Sequence, residues 1–167
     1  MTDSLLDLIQ VYHSRGVLVD TNILLLYFVG KFDPERITRF KRTRQFSVDD
    51  YRLLVRLLDR FKRIVTTPNV LSEVSSFSGQ LGEPLRSKYY LDFARGIATL
   101  DEHYVASAAA ARRGEFSRLG LTDCAIVHLA TDKYLVLTDD FRLAQFLEKA
   151  GVDVLNFNHL RFSSWIG

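Results

Sequence analysis

The chain has 167 residues, 47% apolar and 25% charged, with a net charge of +2, the figures of an ordinary globular protein long enough to bury one sizeable core without staples. Its single cysteine, Cys124, excludes an internal disulfide and a zinc site built from several thiolates, which fits a reducing compartment. The opening stretch "MTDSLLDLIQVYH" carries acids where a signal peptide needs bases, and the apolar run at 16–30 is too short and too polar at Asp20 to span a bilayer, so no membrane partner is expected and the cytoplasm is the expected location.

Residues 3–13 have the pattern of a short amphipathic helix. Gly16 then opens the run Val17, Leu18, Val19, which reads as a central strand buried on both faces. The segment 23–29 fits either a longer strand or a helix by periodicity alone. A helix after a loop at 20–22 suits an α/β alternation better. Pro34 stands where a second helix begins, with residues 36–44 following it. Residues 47–61 predict a helix: Ser47 caps it, Asp49 and Asp50 suit its first turn, and Leu53, Leu54, Leu57, Leu58 and Phe61 share a face.

"RIVTT" at 63–67 predicts a second strand, and Pro68 is suited to start the helix that follows it. Residues 87–112 read as one or two helices, ended near Gly114. A helix at 121–133 has Thr122 as its cap, 134–138 is a third strand, 140–151 a helix closed by Gly151, and 152–157 a fourth strand. The chain holds no internal repeat, low-complexity tract or linker, so residues 1–167 are expected to form one domain. Strands alternating with helices predict a three-layer α/β/α architecture around a central parallel sheet of four to five strands.

In such sheets functional groups gather at the carboxyl ends of the strands. Asp20 follows the first strand, Asp139 and Asp140 follow the third predicted above, Glu73 lies one to two turns into the helix leaving the second, and Asp123 stands near a helix start. Taken singly, each has a plain reading as a turn residue, a cap or a solvated acid. Together at one rim they would repel one another unless a cation sat among them, and oxygen ligands are what Mg²⁺ and Mn²⁺ take.

The series "VLVDTNILL", "TTPNVLSEV", "LGLTDCAIVHLA" and "YLVLTDDFRLA" resembles the PIN-domain nuclease family, which includes the toxin ribonucleases of bacterial toxin–antitoxin pairs. The likeness runs from about 16 to 157. It sets Asp20, with Thr21 and Asn22, at the end of the first strand, Glu73 in a P-x-V-L-x-E pattern, Asp123 in D-x-x-I-x-x-x-A, and Asp140 in a T-x-D turn with Thr138. Asp139 is the alternative fourth ligand. The resemblance implies a phosphodiesterase acting on RNA, with one or two Mg²⁺ or Mn²⁺ ions held by Asp20, Glu73, Asp123 and Asp140, and with Asn22 and Thr138 orienting carboxylates or contacting phosphate. It also implies a homodimer and, for a toxin, an antitoxin partner.

The segment 31–62 is longer than the compact toxin members need and reads as a basic helical insertion. Between 31 and 44 it carries six basic residues against two acids, and Arg36, Arg39, Lys41, Arg42 and Arg44 are the expected nucleic-acid contacts. Other chemistries lack their signatures. His13, His103, His128 and His159 have no paired spacing, Cys124 reads as a packed apolar residue, Tyr89, Tyr90 and Phe93 read as core or rim aromatics, and no phosphate-cradling glycine motif occurs. A catalytically silent scaffold binding RNA or a partner protein is the competing expectation. A receiver-like phosphoacceptor needs a lysine after a late strand, which "VLNFNHL" does not offer.

Overall fold

Val17, Leu18 and Val19 form β1 (Val17–Val19), and none of the three has any exposed surface. A strand without polar alternation must be covered on both sides, and it lies at the centre of the sheet. In the computed structural model, which describes residues 2–163, α1 (Thr2–Tyr12) precedes β1. After it come α2 (Thr21–Phe32), α3 (Arg36–Arg39), α4 (Val48–Leu58), β2 (Ile64–Thr66), α5 (Pro68–Ser78) and α6 (Leu85–Ile97). The chain continues through β3 (Asp101–Glu102), α7 (Ser107–Ala111), α8 (Phe116–Ala130), β4 (Leu135–Thr138), α9 (Phe141–Lys149), β5 (Val154–Asn156) and α10 (Phe157–Ser163).

The five strands are all parallel, in the order β3-β2-β1-β4-β5. Leu18 pairs with Val65 on one side and Val136 on the other, which fixes the register. The order runs outward from β1 to β3, then returns across it to β4 and β5. Right-handed crossovers therefore put the helices of the first half on one face and those of the second half on the other. Accordingly α2 packs against α4, α5 and α6, while α8 packs against α9. The result is the three-layer α/β/α sandwich expected. Among the described residues, no helix is long and apolar enough to cross a membrane.

The ambiguous segment after β1 is helical. Asp20 caps α2 by accepting the Thr21 N–H at 2.6 Å, and Ile23 to Leu26, Phe28 and Val29 are buried around most of its circumference. Two glycines let neighbours approach it. A Cβ at Gly30 would meet the Tyr51 ring at 2.3 Å, and one at Gly96 would meet the Phe28 ring at 2.3 Å. Ser47 and Asp50 form a reciprocal capping box at the start of α4. Asp50 also accepts from Arg161 of α10 at 2.7 Å, tying the last described helix to α4.

Several expected elements differ. Residues 101–102, expected to be helical, form the edge strand β3, whose two polar residues are too few to show any period; Val65 pairs with Asp101 and the His103 N–H continues the ladder to the Thr66 carbonyl. The helix expected over 36–44 is the single turn α3, because the buried Thr43 hydroxyl takes the Ile37 carbonyl that a longer helix would have used. The strand expected to reach 157 stops at Asn156, whose side chain accepts the Asn158 N–H at 3.0 Å and turns the chain into α10. The helix expected from 121 does start there, but a short helical stretch from Phe116 precedes it, and the two meet at Gly120, where φ is +80°. Only glycine holds such a backbone without strain.

Candidate active site

Asp20 leaves the carboxyl end of β1 next to the end of β4, and its N–H still bonds to the Leu137 carbonyl at 2.9 Å. Its side chain is 6% exposed. One carboxylate oxygen accepts the Thr21 N–H, and the other accepts the Thr138 hydroxyl at 2.6 Å. Thr138 Oγ1 in turn accepts the Asp140 N–H at 2.9 Å. Asp140 caps α9, taking the N–H groups of Arg142 and Leu143 on Oδ1.

Glu73 reaches the same rim from the second turn of α5. Its two oxygens accept from Thr21 Oγ1 at 2.9 Å and Thr122 Oγ1 at 2.5 Å. Thr122, expected to cap a helix, instead spends its hydroxyl on this carboxylate. Asp123 follows it, on the stretch of α8 beyond the Gly120 break.

The electrostatics tie these acids together. Burial raises the Asp123 carboxyl to about 7, and the charges of Asp20, Asp140 and Glu73 add to the rise while Arg142 opposes it. Burial also raises Asp20 to about 6, against the hydrogen bonds from Thr138 and Thr21 and with the charges of Asp139 and Asp140. Asp139 is raised by burial too. A hydrogen bond from Asn22 offsets part of that, yet its Oδ1 is buried without a hydrogen-bond partner.

Asp123 therefore lies within reach of the charges of Asp20, Glu73 and Asp140. Even so, among the described residues no group of three or more His, Cys, Asp or Glu side chains is arranged to hold a metal ion. Glu73 is turned onto two threonines, and Asp140 onto the start of α9. The donor chemistry fits a hard divalent cation: every candidate is a carboxylate, two are pushed toward neutrality, and one buried oxygen beside them lacks a partner.

The expected nucleic-acid residues are largely engaged within the chain. Arg36 faces Asp33 at 3.8 Å, Arg39 faces Glu35 at 4.0 Å, and Arg42 lies over the Phe77 ring at 4.3 Å while donating to Gln80. Lys41 and Arg44 are exposed. Three residues at the rim were not singled out from sequence for what they do here: Thr21 and Thr122, which hold Glu73, and Arg142, whose charge acts on Asp123. Their only sequence signal was a place beside a candidate acid.

An α/β/α sandwich carrying acids at the carboxyl ends of its central strands is compatible, in fold, with a PIN-like hydrolase architecture. No family model matches the chain, and no curated protein matches it either.

Proposed function

We propose that the chain is a metal-dependent phosphodiesterase, an endoribonuclease whose Asp20, Glu73, Asp123 and Asp140 hold one or two Mg²⁺ or Mn²⁺ ions. The observation that carries this reading is geometric: Thr138 joins Asp20 to Asp140, Thr21 joins Asp20 to Glu73, and Thr122, next to Asp123, donates to Glu73, so all four acids meet at one rim. A bound ion would supply an activated water and offset charge on the phosphate.

The chain's own residues prepare the rim. Thr138 fixes the Asp20 carboxylate, and its hydroxyl couples that orientation to the Asp140 backbone. Thr21 and Thr122 hold Glu73 from both sides. Thr21 gives its backbone N–H to Asp20 and its hydroxyl to Glu73, so one residue sets the relation between the two acids.

One observation favours the scaffold reading instead: both Glu73 oxygens already have hydroxyl donors, so that acid is satisfied without a cation. Incubating end-labelled total RNA with the protein and Mn²⁺ or Mg²⁺, beside Asp20→Asn and an EDTA control, separates the two. The nuclease reading expects cleavage that vanishes in both controls. RNA left intact by the wild type, with retained RNA binding, would establish the scaffold.

A further inference from the structure

A groove of about 570 Å³ runs between α8 and α9, lined by Arg118, Leu119, Arg142, Gln145, Phe146 and Lys149. Its three cations are exposed. Among the described residues none of them forms an ion pair with an acid, and the Arg142 side chain donates to the Arg118 carbonyl at 3.2 Å. That bond crosses from α9 to the stretch of α8 before the Gly120 break and leaves the guanidinium without a carboxylate at ion-pair distance. By contrast Arg36 and Arg39 each face an acid, and Arg42 is stacked on Phe77.

The groove also begins at the acids. The Arg142 N–H donates to Asp140, and its side-chain charge acts on Asp123. Lys149 stands two turns further along α9, so Arg142 and Lys149 lie one beyond the other leading away from the rim, with Arg118 across the groove on α8. Unpaired cations spaced along a groove are complementary to the repeating charges of a phosphodiester backbone, and such contacts bind without reading sequence.

We infer that the α8–α9 groove, through Arg118, Arg142 and Lys149, binds the phosphate backbone of a single-stranded RNA and feeds it to the acid rim. The inference rests on the nuclease reading for its substrate class, but its test does not need catalysis. Arg118→Gln and Lys149→Gln alter exposed side chains away from the acids; Arg142 is left intact because it lies too near them. Binding of a short fluorescent single-stranded RNA is followed by anisotropy in EDTA across a salt series, with Arg56→Gln/Arg95→Gln as a control of equal charge change.

Each phosphate contact adds about 0.7 to the slope of log affinity against log salt, so the double groove variant should lose about 1.4 in slope and bind roughly tenfold more weakly near ~0.1 M salt. The control pair should match the wild type. Groove variants that bind as the wild type does, with Arg39→Gln/Arg44→Gln losing the slope instead, would overturn the inference and leave the nuclease reading standing if RNA is still cleaved. Polyglutamate competing as well as RNA at equal charge would also overturn it, by making the groove a general polyanion surface. A wild type that neither binds nor cleaves RNA would remove both.

Discussion

Thr138 Oγ1 donates to Asp20 Oδ2 at 2.6 Å and accepts the Asp140 N–H at 2.9 Å, so one fully buried hydroxyl joins the ends of β1 and β4 to the start of α9. Thr138→Val keeps the shape and deletes both bonds. A buried carboxylate oxygen then loses its donor and an N–H its acceptor, at a cost of about 2–3 kcal/mol. Thr138→Ser keeps the hydroxyl and should stay within about 1 kcal/mol of the wild type. Urea unfolding at neutral pH measures both, and equal stabilities for the valine and serine variants would refute the arrangement.

The pH dependence of stability has a definite sign. Asp20 and Asp123 are raised in the folded chain to about 6 and about 7, from an unfolded value of 3.8. The folded state thus binds these protons more tightly than the unfolded one. Their contribution is fully present below pH 3.8 and is lost as pH rises through 6 and 7. In EDTA the unfolding free energy should therefore fall between about pH 5 and pH 8, by on the order of 1–3 kcal/mol per group, and the Tm should fall with it. Asp20→Asn should flatten that fall. Mn²⁺ should raise the Tm more at about pH 8 than at about pH 5, because it competes with the protons for the same oxygens. A melting temperature unaffected by Mn²⁺ at both values would argue against a cation at the rim.

Much of the architecture was legible because it is written in local patterns. The run Val17–Val19 announces a doubly covered strand, and Ser47 with Asp50 announces the start of α4. β3 was not legible, since Asp101 and Glu102 are strand only through their pairing with Val65 and Thr66. The acids were readable as residues at strand and helix ends. Their partners were not: Thr21 and Thr122 meet Glu73 across 52 and 49 positions of sequence, and only the sheet order creates those contacts. The intramolecular partners of the basic segment were unreadable for a related reason. Charge density in sequence says nothing of the acids and rings that Arg36, Arg39 and Arg42 meet once folded.

Gly96 and Gly30 test how closely α2 is enclosed. Alanine at either gains up to about 1 kcal/mol of helix propensity, but its Cβ would overlap an aromatic ring. The Phe28 ring opposite Gly96 is 3% exposed and sits edge-on to Phe93, so it has nowhere to move. The Tyr51 ring opposite Gly30 is less buried, but three of its atoms, Cγ among them, would lie within 2.6 Å of the new Cβ, so turning the ring about its own axis gives no relief. Both Gly96→Ala and Gly30→Ala should be destabilising by about 1–3 kcal/mol. Thermal unfolding of the two variants measures this, and a variant as stable as the wild type would mean that its contact with α2 is looser than described.

Glu73→Gln separates a structural carboxylate from a functional one. The amide can still accept from Thr21 Oγ1, and its nitrogen can donate to Thr122 once that hydroxyl rotates, so both contacts survive the loss of charge. Stability should change by less than about 1 kcal/mol, since neither partner is left unpaired. What disappears is one of the charges acting on Asp123. The Asp123 carboxyl should titrate lower in this variant, a shift that NMR of the side-chain carboxyl can follow. If Glu73 also serves a cation, RNA cleavage and the Mn²⁺-dependent rise in Tm should fall together. A variant that keeps wild-type RNA cleavage while the Asp123 titration moves would leave Glu73 as an electrostatic neighbour and take it out of the catalytic set.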